Sequence, residues 1–292
     1  MKPPPFKYCA PTTIDEVLTH LAEYGDDAKL LAGGQSLVPA MNFRLAQPAV
    51  LIDMNRVKEL FYIRSDSNEL RIGAMTRQRE IERSELILEH APLAHETMPH
   101  IAHPQIRNRG TIGGSLAHAD PAAELPAVMV ALNARFLLRS QSDERWVPAS
   151  DFFEDIFTTA LQPGELLTEI VVPPLPPKSG CAFREIARRH GDFALVGAAA
   201  VVTLDDTQKC KHARLVLLSV GNGPVVAQNA EQAIHGKKLS AKFIKEAAEI
   251  AATQDIDPPS DIHASTDYRR QLAKVVTEHT LTRALEQAQN KF

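Results

Sequence analysis

The sequence predicts an α+β protein built from two or three compact units, and three observations carry that expectation. A small β-α-β unit is legible in roughly the first 55 residues, a stiff run at Pro173-Pro174-Leu175-Pro176-Pro177 divides the chain, and three strand-like runs followed by helices lie beyond it. At 292 residues the chain exceeds one average domain and is long enough to bury a substantial core.

The elements follow in order. Thr13-Ile14-Asp15-Glu16 reads as a capping box, with Thr13 at the N-cap and Glu16 three positions on. Ile14, Val17, Leu18, Leu21 and Ala22 then recur at helical spacing, and Gly25 is a natural stop. Residues 29–31 read as a strand running into a glycine pair, and Val50-Leu51-Ile52-Asp53 as another. Residues 69–74 alternate as a strand does, with Thr76 placed to cap a following helix. Residues 92–102 read as helical and 103–110 as a loop carrying Arg107 and Arg109. Asp120 is placed as the N-cap of a helix that opens at Pro121 and runs through Leu132. Residues 134–138 and 166–172 read as strands, the latter nearly all apolar and therefore well buried.

The proline run cannot donate to a sheet and is extended, so it reads as a linker rather than as a PxxP ligand. Beyond it, strands are expected over 181–186, 194–204 and 213–220. Turn signals at Arg189-His190-Gly191-Asp192 and Asp205-Asp206 separate them, which suggests an antiparallel meander. Helices at 230–234, 240–253 and 266–287 close the chain.

Composition excludes several classes. With 32 Lys and Arg against 36 Asp and Glu, the net charge of −4 gives no electrostatic case for nucleic acid or an anionic membrane. No apolar run approaches the length of a membrane span, and Met1-Lys2-Pro3-Pro4-Pro5-Phe6-Lys7 lacks the apolar core of a signal peptide, so the cytoplasm is the expected location. Cys9, Cys181 and Cys210 are isolated, which argues against a disulfide framework or a metal site of Cys ligands and for small buried hydrophobes. Any iron–sulfur chemistry must then sit on another chain. Among His90, His95, His100 and His103 only the last two have a usable spacing, and no carboxylate is placed to complete a set, so no metal site is expected.

Two stretches hold the chemistry: Ala32-Gly33-Gly34-Gln35-Ser36 and Thr111-Ile112-Gly113-Gly114-Ser115. Each runs through paired glycines to a hydroxyl side chain. Paired glycines let the backbone take φ > 0 and leave no Cβ between N–H groups and a ligand. Successive N–H groups in such a turn form a concavity for an anion, most often a phosphate. Neither stretch fits GxGxxG or GxxxxGK[ST], so a Rossmann or P-loop reading has little support. About 80 residues apart, the two could clamp a cofactor with two phosphates between them, Ser36 and Ser115 adding hydroxyl donors. Glu124, in the first turn of the expected helix, is placed either to accept a hydrogen bond from a ribose or ribitol hydroxyl or to interact with the helix N-terminus.

In its longer context the first stretch, followed by Leu37, Pro39 and Asn42-Phe43-Arg44-Leu45-Ala46, resembles the first FAD signature of the medium subunits of molybdenum hydroxylases. So does Gln105-Ile106-Arg107-Asn108-Arg109-Gly110-Thr111-Ile112-Gly113-Gly114-Ser115-Leu116-Ala117-His118-Ala119-Asp120-Pro121-Ala122-Ala123-Glu124-Leu125-Pro126-Ala127 resemble the second, a long and highly specific motif. Arg188-Arg189-His190-Gly191-Asp192-Phe193-Ala194 and Tyr268-Arg269-Arg270-Gln271-Leu272-Ala273 are similar to further landmarks. The resemblance, to the flavoproteins of the carbon monoxide dehydrogenase and xanthine dehydrogenase group, spans essentially the whole chain.

It implies a vanillyl-alcohol-oxidase (PCMH)-type FAD-binding fold of two α/β subdomains, residues 1–57 and 58–175. A C-terminal α+β domain, residues 178–292, would carry a three-stranded antiparallel sheet and helices. It implies that Ala32, Gly33, Gly34, Gln35 and Ser36, with Thr111, Ile112, Gly113, Gly114 and Ser115, hold the FAD pyrophosphate and neighbouring groups. Leu37, in the first signature, is expected as a further cofactor-binding residue, and Ile101, Glu124 and Leu167 match further positions near the flavin. Glu124 stands where many relatives have Asp, and Arg184 where some have Lys near the isoalloxazine. Phe193 occupies a position where an aromatic side chain commonly stacks on the flavin, the alternative being a core strand aromatic. Arg107 and Arg109 are read as flanking the FAD site or as a subunit contact.

The implied mechanism is electron relay. A large molybdopterin subunit would hydroxylate the organic substrate, and electrons would cross two [2Fe–2S] clusters on a small subunit to FAD here. They would leave to NAD+, a quinone, another carrier or O2. A dimer of heterotrimers is the assembly the family implies. No acid–base pair is required of this chain, so no catalytic residue is expected. Two rival readings share the fold: a stand-alone FAD-dependent reductase or oxidase, and a non-enzymatic subunit that has lost the flavin. Gly33→Val and Gly114→Val are both expected to abolish FAD retention.

Overall fold

The computed structural model describes residues 2–290. Met1 and residues 291–292, at the outer ends of the first and third expected units, lie outside the described residues. The chain opens with a three-stranded parallel sheet in which Val50–Asp53 lies between Lys7–Cys9 and Ala28–Leu31. The helix Ile14–Tyr24 crosses over this sheet and buries Ile14, Val17, Leu18 and Leu21 of the expected stripe, while Ala22 is exposed. The Thr13 hydroxyl accepts from the Glu16 N–H at 3.2 Å, as a cap should. The Glu16 carboxylate, however, turns to the Thr12 N–H at 2.6 Å, so the box is closed one residue early.

The middle sheet is wholly antiparallel, in the order Ile63–Asp66, Glu69–Gly73, Leu166–Val172, Arg135–Arg139, Glu144–Pro148. Leu166–Val172 is its central strand and all seven residues are buried. The sequence is locally deceptive around this sheet in three places. Thr76 caps no helix: its hydroxyl is buried and donates to the Tyr62 carbonyl at 2.9 Å, and Arg77 precedes the helix Gln78–Arg83. The helix expected over 92–102 stops at Thr97 and tightens into a 3₁₀ turn Met98–His100, because Pro99 has no N–H for the ladder and its ring crowds the carbonyl four residues back. The helix expected from Pro121 begins at Glu124. Asp120 spends its side chain on a local turn instead, accepting from the Ala122 N–H at 2.9 Å.

The C-terminal meander forms as expected from Ser179–Ala187, Ala194–Leu204 and Cys210–Leu218, with a short fourth strand, Val225–Val226, making the sheet four-stranded. Strand alternation splits its side chains between two cores. Cys181, Phe183, Ala199, Val201 and Val216 pack into the core of the middle unit. Ala182, Ala198, Ala200, Val202 and Leu215 face the other way, into the core that includes Leu272, Val276 and Leu281 of the helix Thr266–Gln289. With both faces covered, all eleven residues of Ala194–Leu204 are buried. The helix Ala241–Ile250 passes into a π turn, Ala251–Asp255. All three cysteines are buried, and burial pushes the Cys210 thiol up to about 11. Among the described residues no helix is long and apolar enough to cross a membrane.

Candidate functional site

The two glycine stretches meet in space. A Cβ on Gly33 would lie 2.5 Å from the Arg109 carbonyl oxygen and 2.8 Å from Gly110 Cα, and one on Gly114 would lie 3.3 Å from Ala32 Cβ. Beside this contact is a cleft of about 320 Å³ lined by Leu31, Gly33, Gly34, Gln35, Val38, Pro39 and Arg109. One wall therefore belongs to the first sheet unit and the other to the segment before the second glycine pair.

The first stretch is a turn, with Gly34 at φ +75°. Gln35 braces it by donating its amide to the Gly33 carbonyl at 3.1 Å, and the Asn55 amide donates to the Ala32 carbonyl at 3.0 Å. Among the described residues the backbone N–H groups of Gly33, Gly34, Gln35 and Ser36 donate no hydrogen bond. Leu37 opens a short helix, Leu37–Asn42. Unsatisfied N–H groups converging on a concavity are what an anion requires.

The second stretch is not a turn. Ile112–His118 is a helix, with Thr111 at its N-cap. Its first N–H groups are already engaged: Ile112 with the Thr76 carbonyl at 3.1 Å, Gly113 with that of Ala74 at 2.8 Å, and Ser115 with that of Thr111 at 3.1 Å. Gly114 donates to the Thr111 hydroxyl at 3.1 Å. Its glycines serve close packing, since a Cβ on Gly113 would fall 2.6 Å from both the Cβ and the carbonyl oxygen of Ala74. The two stretches are therefore not alike in conformation: the first is a turn with unpaired N–H groups among the described residues, the second the capped first turn of a docked helix.

Charge at the cleft comes from arginine. Arg109 is exposed on the cleft wall and forms no ion pair among the described residues. Arg77 lies behind it, donating to the Arg109 carbonyl and, at 2.5 Å, to Asn55 Oδ1. Burial and the Arg109 charge both lower the Arg77 pKa. Burial of Asp53 opposes its ionisation, but the Tyr8 hydroxyl at 2.5 Å and the Asn55 N–H at 2.9 Å hold its carboxyl below the usual range. Arg107, expected beside the site or at a subunit surface, is instead an internal strut. It is buried, forks onto Glu82 at 3.0 and 3.1 Å, and donates to the Ile101 carbonyl at 2.7 Å.

The other expected residues are distributed around this core. Ile101 and Leu167 are buried with Ile112 and Leu116 in the middle core. Glu124 is also buried, and burial reinforced by the neighbouring Glu185 and Asp120 charges pushes its carboxyl up to about 8. At neutral pH it is therefore largely protonated and offers a donor as well as an acceptor. Arg184 is exposed on the strand Ser179–Ala187, and Phe193 is 70% exposed at the mouth of the next strand, so Phe193 is no core aromatic. Sequence reasoning missed Asn55, Arg77 and Glu185. Only Asn55 had a local signal, as the second residue after a strand-ending Asp. The histidines disperse: His100 lies 3.5 Å from the largely buried Glu185 carboxylate, and His103 packs against Gly191. Among the described residues no three His, Cys, Asp or Glu side chains are grouped to hold a metal.

Among the described residues the cleft offers N–H groups without partners, a guanidinium without an ion pair and a glycine that lets its two walls approach, and this donor set fits a diphosphate. Comparison with known proteins agrees. Residues 4–175 match the family model described as the FAD binding domain in molybdopterin dehydrogenase, and residues 181–284 that of the CO dehydrogenase flavoprotein C-terminal domain. The chain is 46% identical to the 6-hydroxypseudooxynicotine dehydrogenase complex subunit alpha of Paenarthrobacter nicotinovorans, over 99% of this chain and 97% of that one. It is 37% identical to the carbon monoxide dehydrogenase medium chain of Hydrogenophaga pseudoflava, over 97% and 98%. A solved structure of carbon monoxide dehydrogenase from Hydrogenophaga pseudoflava superposes with a TM-score of 0.95 at 38% identity, covering 98% of this chain and 99% of that one. The chain belongs to the family of FAD-binding medium subunits of molybdopterin-dependent dehydrogenases, as an oxidoreductase subunit.

Proposed function

We propose that this chain holds the flavin of a three-subunit molybdenum hydroxylase. Its partners in this reading are a large molybdopterin subunit and a small subunit with two [2Fe–2S] clusters, assembled as a dimer of heterotrimers in the cytoplasm. The observation that carries the reading is the cleft at the first glycine turn, where the N–H groups of residues 33–36 have no internal partner and Arg109 no ion pair among the described residues. FAD, when bound, supplies the exchange of electrons between the clusters and an external acceptor.

The work of this chain is to bind and orient. Ala32, Gly33, Gly34, Gln35, Ser36 and Leu37 take the diphosphate on one side. Thr111, Ile112, Gly113, Gly114 and Ser115 set the opposing helix, with the Ser115 hydroxyl as the group free to reach the cofactor. Glu124 serves a ribose or ribitol hydroxyl, while Ile101 and Leu167 back the site. Arg184 and the exposed Phe193 border the isoalloxazine, Phe193 by stacking. No residue is assigned a catalytic role, and the organic substrate belongs to the large subunit. In this division residues 1–57 and 58–175 form the flavin site and residues 178–292 the third unit.

Purification from the native host, with a visible spectrum and metal analysis, tests the reading. A yellow chain co-purifying with molybdenum- and iron-bearing subunits is the expected result. A yellow, metal-free and partner-free protein that turns over a small molecule would replace it with a stand-alone reductase or oxidase. A colourless protein that takes up no FAD would make it a flavin-free subunit.

A further inference from the structure

We infer that Arg109 is the counter-charge for the cofactor's diphosphate, and that Arg77 and Asn55 are positioning residues that fix Arg109 opposite the glycine turn. This rests on the reading of the cleft as the FAD diphosphate site and says what completes it.

The cleft has two walls from distant parts of the chain: Leu31 to Pro39 on one side and Arg109 on the other. Behind it, hydrogen bonds run from wall to wall. The Asn55 amide donates to the Ala32 carbonyl at 3.0 Å, and its oxygen accepts from Arg77 at 2.5 Å. The second terminal nitrogen of Arg77 donates to the Arg109 carbonyl. Two side chains thus tie the backbone of both walls, and Gly33 allows those backbones to touch. Asp53, kept ionised by Tyr8 and Asn55, holds the Asn55 amide from below.

The electrostatics give this bracket a purpose. Arg77 and Arg109 are close enough to repel, and the Asp53 charge is felt by both. Asp53 is engaged by Tyr8 and Asn55, which leaves the Arg109 side chain with no ion pair among the described residues. The N–H dipoles of residues 33–36 carry no net charge, so Arg109 on the facing wall is the group of this cleft that can match the charge of a diphosphate. A guanidinium that donates two parallel N–H groups can complete the set, and bound anion relieves the repulsion between the two arginines. Arg107, two residues earlier, is already consumed by Glu82, so the cleft takes its charge from Arg109.

The test titrates the full-length apo chain with FAD, ADP and riboflavin, comparing wild type with Arg109→Gln, Asn55→Ala and Arg77→Met. Arg109→Gln should weaken FAD and ADP alike by roughly 10- to 100-fold, the loss of one charge-assisted hydrogen-bonded pair. Riboflavin affinity should stay unchanged, and the loss should shrink as salt is raised. Asn55→Ala and Arg77→Met should produce the same ADP-selective loss, by roughly tenfold, where a general loosening of the fold would weaken riboflavin equally. Arg109 is exposed, so its variant remains informative if Arg77→Met does not fold. If wild type binds neither FAD nor ADP, the reading of the cleft fails. If wild type binds both and Arg109→Gln matches it within about twofold, or loses riboflavin as well, the inference about Arg109 fails alone.

Discussion

The two glycine stretches look alike in sequence and are physically opposite. At the first, Gly34 takes φ +75°, and the N–H groups around it are left without partners. At the second, the glycines lie inside the first turn of a helix whose N–H groups are already bonded to Thr76, Ala74 and Thr111. Both pairs remove side-chain bulk at a close contact, Gly33 against the Arg109 carbonyl and Gly113 against Ala74, but only the first also leaves backbone N–H groups without partners among the described residues. Their charge settings differ too. Arg77 and Arg109 flank the first, whereas Asp120, Glu124 and Glu185 lie downstream of the second. A Gly-Gly pair therefore says that a Cβ is unwelcome, and only its surroundings say what takes the space.

The comparison is broken or upheld most sharply by adding side chains to each pair. Gly33→Val places its Cβ against the Arg109 carbonyl, and FAD retention should fall by more than about a hundredfold in flavin titrations. Gly113→Val meets Ala74 from inside the fold and should cost roughly 3 kcal/mol of stability, read as a lowered melting temperature with or without flavin. A Gly113→Val chain that melts like wild type and loses only flavin would show that the second pair is a nest after all.

Glu124→Gln tests the acidic setting. The folded carboxyl titrates at about 8 against 4.5 for the free group, so the folded chain holds the extra proton between those values. Wild-type apo stability should fall relative to that of the Gln variant, which cannot ionise at this position, as pH rises through that window. The variant should then be more stable than wild type above about pH 8, on the order of a few kcal/mol, and equal to it below about pH 4. Denaturant melts at the two pH values check this, and identical pH profiles would contradict it.

Smaller effects follow at single atoms. Gly34→Ala forces a side chain into the left-handed region, costing roughly 1–2 kcal/mol, and should weaken FAD by about tenfold through distortion of the turn. Thr111→Val removes the cap on the Gly114 N–H and should lower stability by about 1 kcal/mol, with Thr111→Ser restoring most of it. If Ser fails to restore stability, the methyl group of Thr111 is what matters rather than its hydroxyl.

Legibility followed locality. The Thr13 cap, the stripe of the helix Ile14–Tyr24, the buried strand Leu166–Val172 and the C-terminal meander were readable, because periodicity and capping act within a few residues. The helix start at Glu124 and the break at Thr97 are not legible, because Asp120 and Pro99 offer local alternatives that a stripe of apolar residues conceals. Phe193 is a candidate by resemblance, and its exposure is set by its place just before the buried strand Ala194–Leu204.

By itself the sequence determined which backbone positions reject a side chain, where the apolar stripes lie, and, through its long second motif, which family the chain belongs to. Tertiary structure alone decided which of those glycines leaves N–H groups unpaired and which of two neighbouring arginines faces the cleft. The reason is that the deciding partners are remote in sequence. Asn55 reaches Ala32, Arg77 reaches Arg109, and Glu82 claims Arg107, each across more than twenty residues that no local pattern encodes.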